Sequence, residues 1–156
     1  MTSAKEFFES IQPIEGNNIG VSSWILVDQE MVNNFASITG DMQFIHVDKE
    51  RAAKESPFKG TIAHGFLVLS LASKFASDVI RDHGNKSVQI NYGFDRVRFI
   101  SPVLCGVRVR GAFSLQSVTM NKSNEVRQVY GLTIEIENAS RPAVIADWIV
   151  LTIFDT

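Results

Sequence analysis

Apolar positions in the first half of the chain recur at helical spacing, and those in the second half alternate like strands. Phe7, Phe8 and Ile11 predict a short amphipathic helix, and Val21 to Val27 a strand. Asp28 stands where a helix cap belongs. Glu30 follows in the first turn, and Met31, Val32, Phe35 and Ile38 give a helical stripe from Gln29 to Thr39 that Gly40 ends. Residues 41 to 47 are expected to be a loop leaving that helix end. Asp48 caps a second, short helix through Lys54, and Ser56 to Gly60 reads as loop. The longest helix is expected from Gly65 to Asp82, ended by Gly84. Its first half (Phe66, Leu67, Val68, Leu69, Leu71, Ala72) is apolar almost all round, which predicts enclosure on most sides.

Beyond it the period changes to two. Ser87 to Tyr92 and Arg96 to Ile100 are short strand candidates. Val107 and Val109 alternate with Arg108 and Arg110 at the start of a strand to Val118. Leu132, Ile134 and Ile136 alternate with Thr133, Glu135 and Glu137. Ala143 to Phe154 is nearly continuous apolar sequence and predicts a central strand, while Asn121 to Glu125 suits a hairpin turn. Helices followed by a run of antiparallel strands indicate an α+β fold in which a sheet covers one apolar helix.

The 156 residues fit one domain, residues 1 to 156, with no linker or low-complexity tract. A formal charge of −2 gives no argument for nucleic acid. The most apolar window, Ile62 to Ala72, is shorter than the roughly 20 residues a bilayer needs. No basic segment followed by an apolar stretch opens the chain, and its single cysteine, Cys105, excludes an intrachain disulfide. A cytoplasmic protein without membrane or nucleic-acid partners is the expectation.

Unusual residues are densest between Gly40 and Ser73. Asp41 and His46 stand five apart in a loop, so a carboxylate and an imidazole can converge on one water molecule and activate it by acid–base catalysis. Taken singly, Asp41 could merely cap a turn and His46 pack near a helix start. Thr61-Ile62-Ala63-His64-Gly65-Phe66 opens the long helix. A glycine there lets a ligand approach, and free N–H groups favour an anionic oxygen. Taken alone, Gly65 could equally serve close packing.

Together these pieces resemble a known family. The run Thr39 to Asp48 (TGDMQFIHVD) followed by Ala63-His64-Gly65 is similar to the hydratase-2 signature of the MaoC-like dehydratases, in their nodulation-protein-N-like branch. Asn91 to Phe99 (NYGFDRVRF) followed by Pro102-Val103 resembles the same branch. Gln43-Phe44 departs from the Asn-Pro of the broader family but occurs within the branch. The resemblance implies a hot-dog fold, a long central helix wrapped by an antiparallel sheet, and a homodimer. It also implies reversible, (R)-specific hydration of trans-2-enoyl-CoA to (R)-3-hydroxyacyl-CoA in fatty acid metabolism. The family's catalytic aspartate and histidine fall on Asp41 and His46, its oxyanion-hole amide on Gly65 and its active-site serine on Ser73. Ser70 and Ser77 share that helix and could, like Ser73, only bond a backbone carbonyl.

No metal or cofactor is expected, with coenzyme A serving as the substrate's carrier. A 3-hydroxyacyl group on acyl carrier protein, hot-dog thioesterase chemistry, or a non-catalytic acyl-binding subunit are the alternatives. The loop spacing of Asp41 and His46 argues for hydration over thioester hydrolysis, and a mere binder has no use for the pair. Other residues take plainer readings. His64 sets backbone conformation at the helix start, with no metal-ligand spacing around it, and His83 suits the end of the helix dipole. Arg96 and Arg98 could meet coenzyme A phosphates, though solvated strand positions explain them too. Cys105, beside Gly106, lacks a nearby base.

Overall fold

The structure, a computed structural model, describes residues 3–80 and 87–155. Helix α1 (Ala4–Ile11) opens on a capping box in which Ser3 and Glu6 bond each other's backbone amides. Strands β1 (Asn18–Val21) and β2 (Ile25–Val27) follow, then α2 (Gln29–Thr39), α3 (Phe44–Val47) and α4 (Lys49–Glu55). The central helix comprises α5 (Gly65–Ser70) and α6 (Ala72–Val79). Four long strands complete the fold: β3 (Ser87–Phe99), β4 (Val107–Lys122), β5 (Glu125–Ile136) and β6 (Val144–Phe154).

All six strands form one antiparallel sheet in the order β1-β4-β5-β6-β3, with β2 also pairing β4. Leu67, Val68, Ala72, Phe75 and Ala76 from the central helix share a core with Val109, Phe113, Leu115, Tyr130, Leu132, Ile134, Val144, Ala146, Trp148 and Val150. Phe75, fully buried, packs so near β4 that a Cβ on Gly111 would sit 2.7 Å from its own Cβ. A glycine in mid-strand is therefore what lets helix and sheet meet. The α+β hot-dog arrangement, helix inside and sheet around it, is thus present.

Four boundaries differ from expectation. The strand expected over residues 21–27 is two strands, because the backbone turns aside at Ser22, whose hydroxyl accepts the Gly111 N–H. The two candidates on either side of Gly93 are one strand, bent by irregular register between Asn91 and Gly93 and between Phe94 and Arg96. The loop over residues 41–47 contains the helical turn α3. The long helix is interrupted at Leu71, whose N–H bonds Val68 O in a tightened turn, and its helical geometry ends before the extended Ile80. The expected stretch to Asp82, with His83 and Gly84, falls outside the described residues.

Enclosure of the central helix is also one-sided: Phe66 is 70% exposed because the sheet covers a single face. Among the described residues no helix is long and apolar enough to cross a membrane.

Candidate active site

The site is built around an extended segment, Thr61 to His64, whose backbone groups point alternately to two sides. On one side Ala63 N–H donates to Val103 O (2.8 Å) and Cys105 N–H to Thr61 O (2.9 Å), fastening the segment to the chain that leaves β3. On the other, Ile62 N–H donates to Ile45 O (2.9 Å), and Ile62 O receives a hydrogen bond from the His46 ring through Nδ1 (2.7 Å). A carbonyl can only accept, so Nδ1 of His46 carries a proton, and Nε2 is the nitrogen that can take or give one. His46 is 6% exposed, so this ring is fixed from both packing and bonding.

Asp41 arrives from the other direction. Asp28 caps α2 by accepting the Met31 N–H, and Gly40, at φ +78°, ends the helix in a left-handed conformation open to glycine. The turn this produces leaves Asp41 with its side chain 56% exposed and its carbonyl accepting a hydrogen bond from Nε2 of His64 (3.0 Å). A carboxylate oxygen of Asp41 and one ring nitrogen from each of His46 and His64 all lie within 4.8 Å of one another. One water with two hydrogen bonds of about 2.8 Å spans such a gap. The sequence-predicted pair is brought together.

His64 has a larger part than its sequence reading gave it. It is 3% exposed and its ring stacks on His46, centroids 3.8 Å apart and planes 26° from parallel, with Phe35 on another side. Its Nδ1 is buried with no hydrogen-bond partner among the described residues. The trio has the donor types of a metal site, with one nitrogen of each ring already bonded to a backbone carbonyl, Nδ1 of His46 to Ile62 O and Nε2 of His64 to Asp41 O.

Gly65 begins α5, so its N–H has no acceptor within the helix. It shares a cleft of about 260 Å³ with His46, Val68, Phe99, Pro102, Val103 and Val144. The wall is largely apolar, with His46 its main ionisable group. A Cβ on Gly65 would lie 2.9 Å from the ring of Phe99, which itself meets Phe66 edge-on. Close packing, the plainer of the two expectations for this glycine, is thus present, with the Phe99 ring as the partner.

The remaining candidates lie elsewhere. Ser73 is on the exposed side of α6 and does not line the cleft, while Ser70 and Ser77 each bond a carbonyl of their own helix at 2.7 Å. Arg96 pairs with Asp147 (2.9 Å) and Arg98 bonds the Val97 carbonyl, in keeping with solvated strand residues. Gln43-Phe44 retains the loop: Gln43 O accepts the His46 N–H, and the Arg51 guanidinium lies 4.1 Å over the Phe44 ring.

Comparison with known proteins gives the family. The model of the MaoC like domain matches residues 10–139. Nodulation protein N of Rhizobium meliloti (strain 1021) is 47% identical over 93% of this chain and 90% of its own length. The 3-hydroxyacyl-thioester dehydratase Z of Mycobacterium tuberculosis (strain ATCC 25618 / H37Rv) is 42% identical over 92% and 95% respectively. The unliganded structure of an R-hydratase from Pseudomonas aeruginosa superposes with a TM-score of 0.69, covering 90% of this chain and 83% of that one at 23% identity. With its hot-dog fold and its Asp41–His46 loop facing the start of the central helix, the chain belongs to the MaoC-like hydratase and dehydratase family.

Proposed function

We propose that this protein adds water reversibly to trans-2-enoyl-CoA, giving (R)-3-hydroxyacyl-CoA. The observation that carries the reading is the meeting of the Asp41 carboxylate with His46, whose Nε2 can take or give a proton, beside a cleft that Gly65 opens. Asp41 and His46 hold one water against C3 of the enoyl group. As its oxygen bonds to C3, a proton passes to the pair, and the C2=C3 electrons move onto the thioester oxygen as an enolate. The Gly65 N–H holds that oxygen, and a proton from the pair then returns to C2. Ser73 takes no step. The chemistry asks for no metal or redox cofactor, because the thioester itself acidifies C2, and coenzyme A serves as carrier. A cytoplasmic location belongs to the same reading.

Given crotonyl-CoA, the enzyme is expected to consume the enoyl thioester, yield (R)-3-hydroxybutyryl-CoA and release no free thiol. Chiral chromatography and a thiol-reactive dye read both outcomes in one reaction. Thiol release without hydration would replace the reading by a thioesterase, and (S) product would remove the stereochemical assignment. Inactivity on acyl-CoAs of every length, with activity on acyl carrier protein, would move the same chemistry to that carrier. The name of the mycobacterial relative, a 3-hydroxyacyl-thioester dehydratase, fits either carrier.

The reading includes a homodimer. Among the described residues β3 is an outer strand that pairs only with β6, and it exposes Val88 (63%), Ile90 (40%) and Tyr92 (64%). An open apolar edge invites a second strand, and a second copy of β3 would supply it. Light scattering should therefore give twice the 17.3 kDa chain mass, and a value at the chain mass itself would refute the dimer.

A further inference from the structure

The side chain of Gln29, at the first position of α2, joins three separate pieces of the site. Its Nε2 donates to the His46 carbonyl (2.7 Å) and to Asn33 Oδ1 (2.9 Å), and its Oε1 accepts from the Thr61 hydroxyl (2.6 Å). The His46 carbonyl can only accept, so the amide has one orientation, and Thr61 must then be the donor. Thr61 is 6% exposed and immediately precedes Ile62, the residue whose carbonyl holds the His46 ring. Gln29 therefore grips His46 at its backbone and, through Thr61, the segment that grips its ring. The far end of the same helix leads through Gly40 to Asp41.

We propose that Gln29, assisted by Thr61, is the positioning residue of this site. It touches no reacting atom. It fixes the His46 turn against the Thr61–His64 segment so that Nε2 of His46 meets the water held by Asp41. This rests on the hydratase reading given above, and the two can fail separately.

Gln29→Ala and Thr61→Val are expected to lower kcat about ten- to a hundred-fold with little change in KM, the scale of a catalytic group displaced by up to ~1 Å. Thr61→Ser, which keeps the hydroxyl, should restore most of it. Gln29→Glu supplies a sharper readout. Ionised, it sets a carboxylate against the His46 carbonyl. Protonated, near the ordinary glutamate value of about 4.3, it can donate to that carbonyl and accept from Thr61 as the amide does. Its activity relative to wild type should rise as pH falls toward that value, while the Gln29→Ala ratio stays flat. Taking the ratio at each pH cancels titration of Asp41, His46 and His64, and of Asp28 and Glu30 beside position 29.

A second measurement is independent of turnover. The Nδ1 proton of His46, bonded to Ile62 O, should give a protected imidazole N–H resonance in wild type that exchanges faster in Gln29→Ala and Thr61→Val. Wild-type kcat in folded Gln29→Ala, or an unchanged Nδ1 proton, would overturn the inference. Inactivity of wild type toward all enoyl thioesters would overturn the hydratase reading instead, leaving the resonance to decide the role of Gln29.

Discussion

Asp41→Asn and His46→Gln should each lower kcat for enoyl-thioester hydration by at least ~100-fold, the usual scale for losing a positioned acid or base. The double variant should be little worse than either single one, because groups that share one water and one proton act as a unit. Asp41→Asn is the cleaner test. Asparagine matches aspartate in shape, the side chain is 56% exposed, and the 3.0 Å hydrogen bond from His64 is to the backbone carbonyl, which the substitution leaves in place, so that only the 4.0 Å approach of the carboxylate to His64 loses its charge. His46→Gln removes more, because the ring is buried, stacked on His64 and bonded to Ile62 O. Circular dichroism and a melting curve must accompany it. Folded Asp41→Asn with near wild-type turnover would return Asp41 to a turn-capping role, whatever His46→Gln does.

The elements that could be read from sequence are those governed by local chemistry. Asp28, the stripe of Val32 and its neighbours, and Gly40 define α2 because a cap, a helical period and a left-handed glycine are all short-range signals. Asp48 and α4 follow the same logic. Alternation found β4 and β5 for the same reason. What long-range contacts decide was less legible. The turn α3 has only four residues and is held by Ile62 and Gln29, distant in sequence, so residues 41–47 read as plain loop. The break at Leu71 leaves no glycine or proline to announce it.

The site divides in the same way. Asp41, His46 and Gly65 stand out because polar groups at fixed spacing beside a helix start are chemically conspicuous. His64 could have been flagged as a polar ring in the otherwise apolar run from Ile62 to Val68, since such a ring is seldom buried without a contact to satisfy it. Gln29 offered no signal at all. A glutamine in the first turn of a helix is ordinary, and only the tertiary fold reveals that its amide reaches His46 and Thr61. Ser73 was singled out by its place in the helix alone, and the structure sets it on the exposed side of α6, away from the cleft.

Gly65→Val should abolish most activity, by ~100- to 1,000-fold in kcat/KM, comparable to loss of one oxyanion-hole donor. The backbone at Gly65 does not adopt the left-handed conformation, so valine meets no backbone strain there, and the effect is one of space. A new Cβ would lie 2.9 Å from Cδ1 and 3.0 Å from Cε1 of Phe99. That ring is 49% exposed and sits at the end of β3, so it can swing away from a methyl group. The branched carbons of valine must then project into the cleft that holds His46, where the proposed hydratase reading puts the thioester oxygen. Circular dichroism should remain near wild type, because the core beneath, Leu67 and Val68, is untouched. One further variant separates the two reasons for a glycine at this position. If Gly65 serves only to seat the Phe99 ring, adding Phe99→Ala to Gly65→Val removes the conflict and activity returns. If it serves the approach of the thioester, the double variant stays inactive while Phe99→Ala alone keeps measurable turnover. Full activity in Gly65→Val itself, with a normal fold, would show that the oxyanion is held elsewhere.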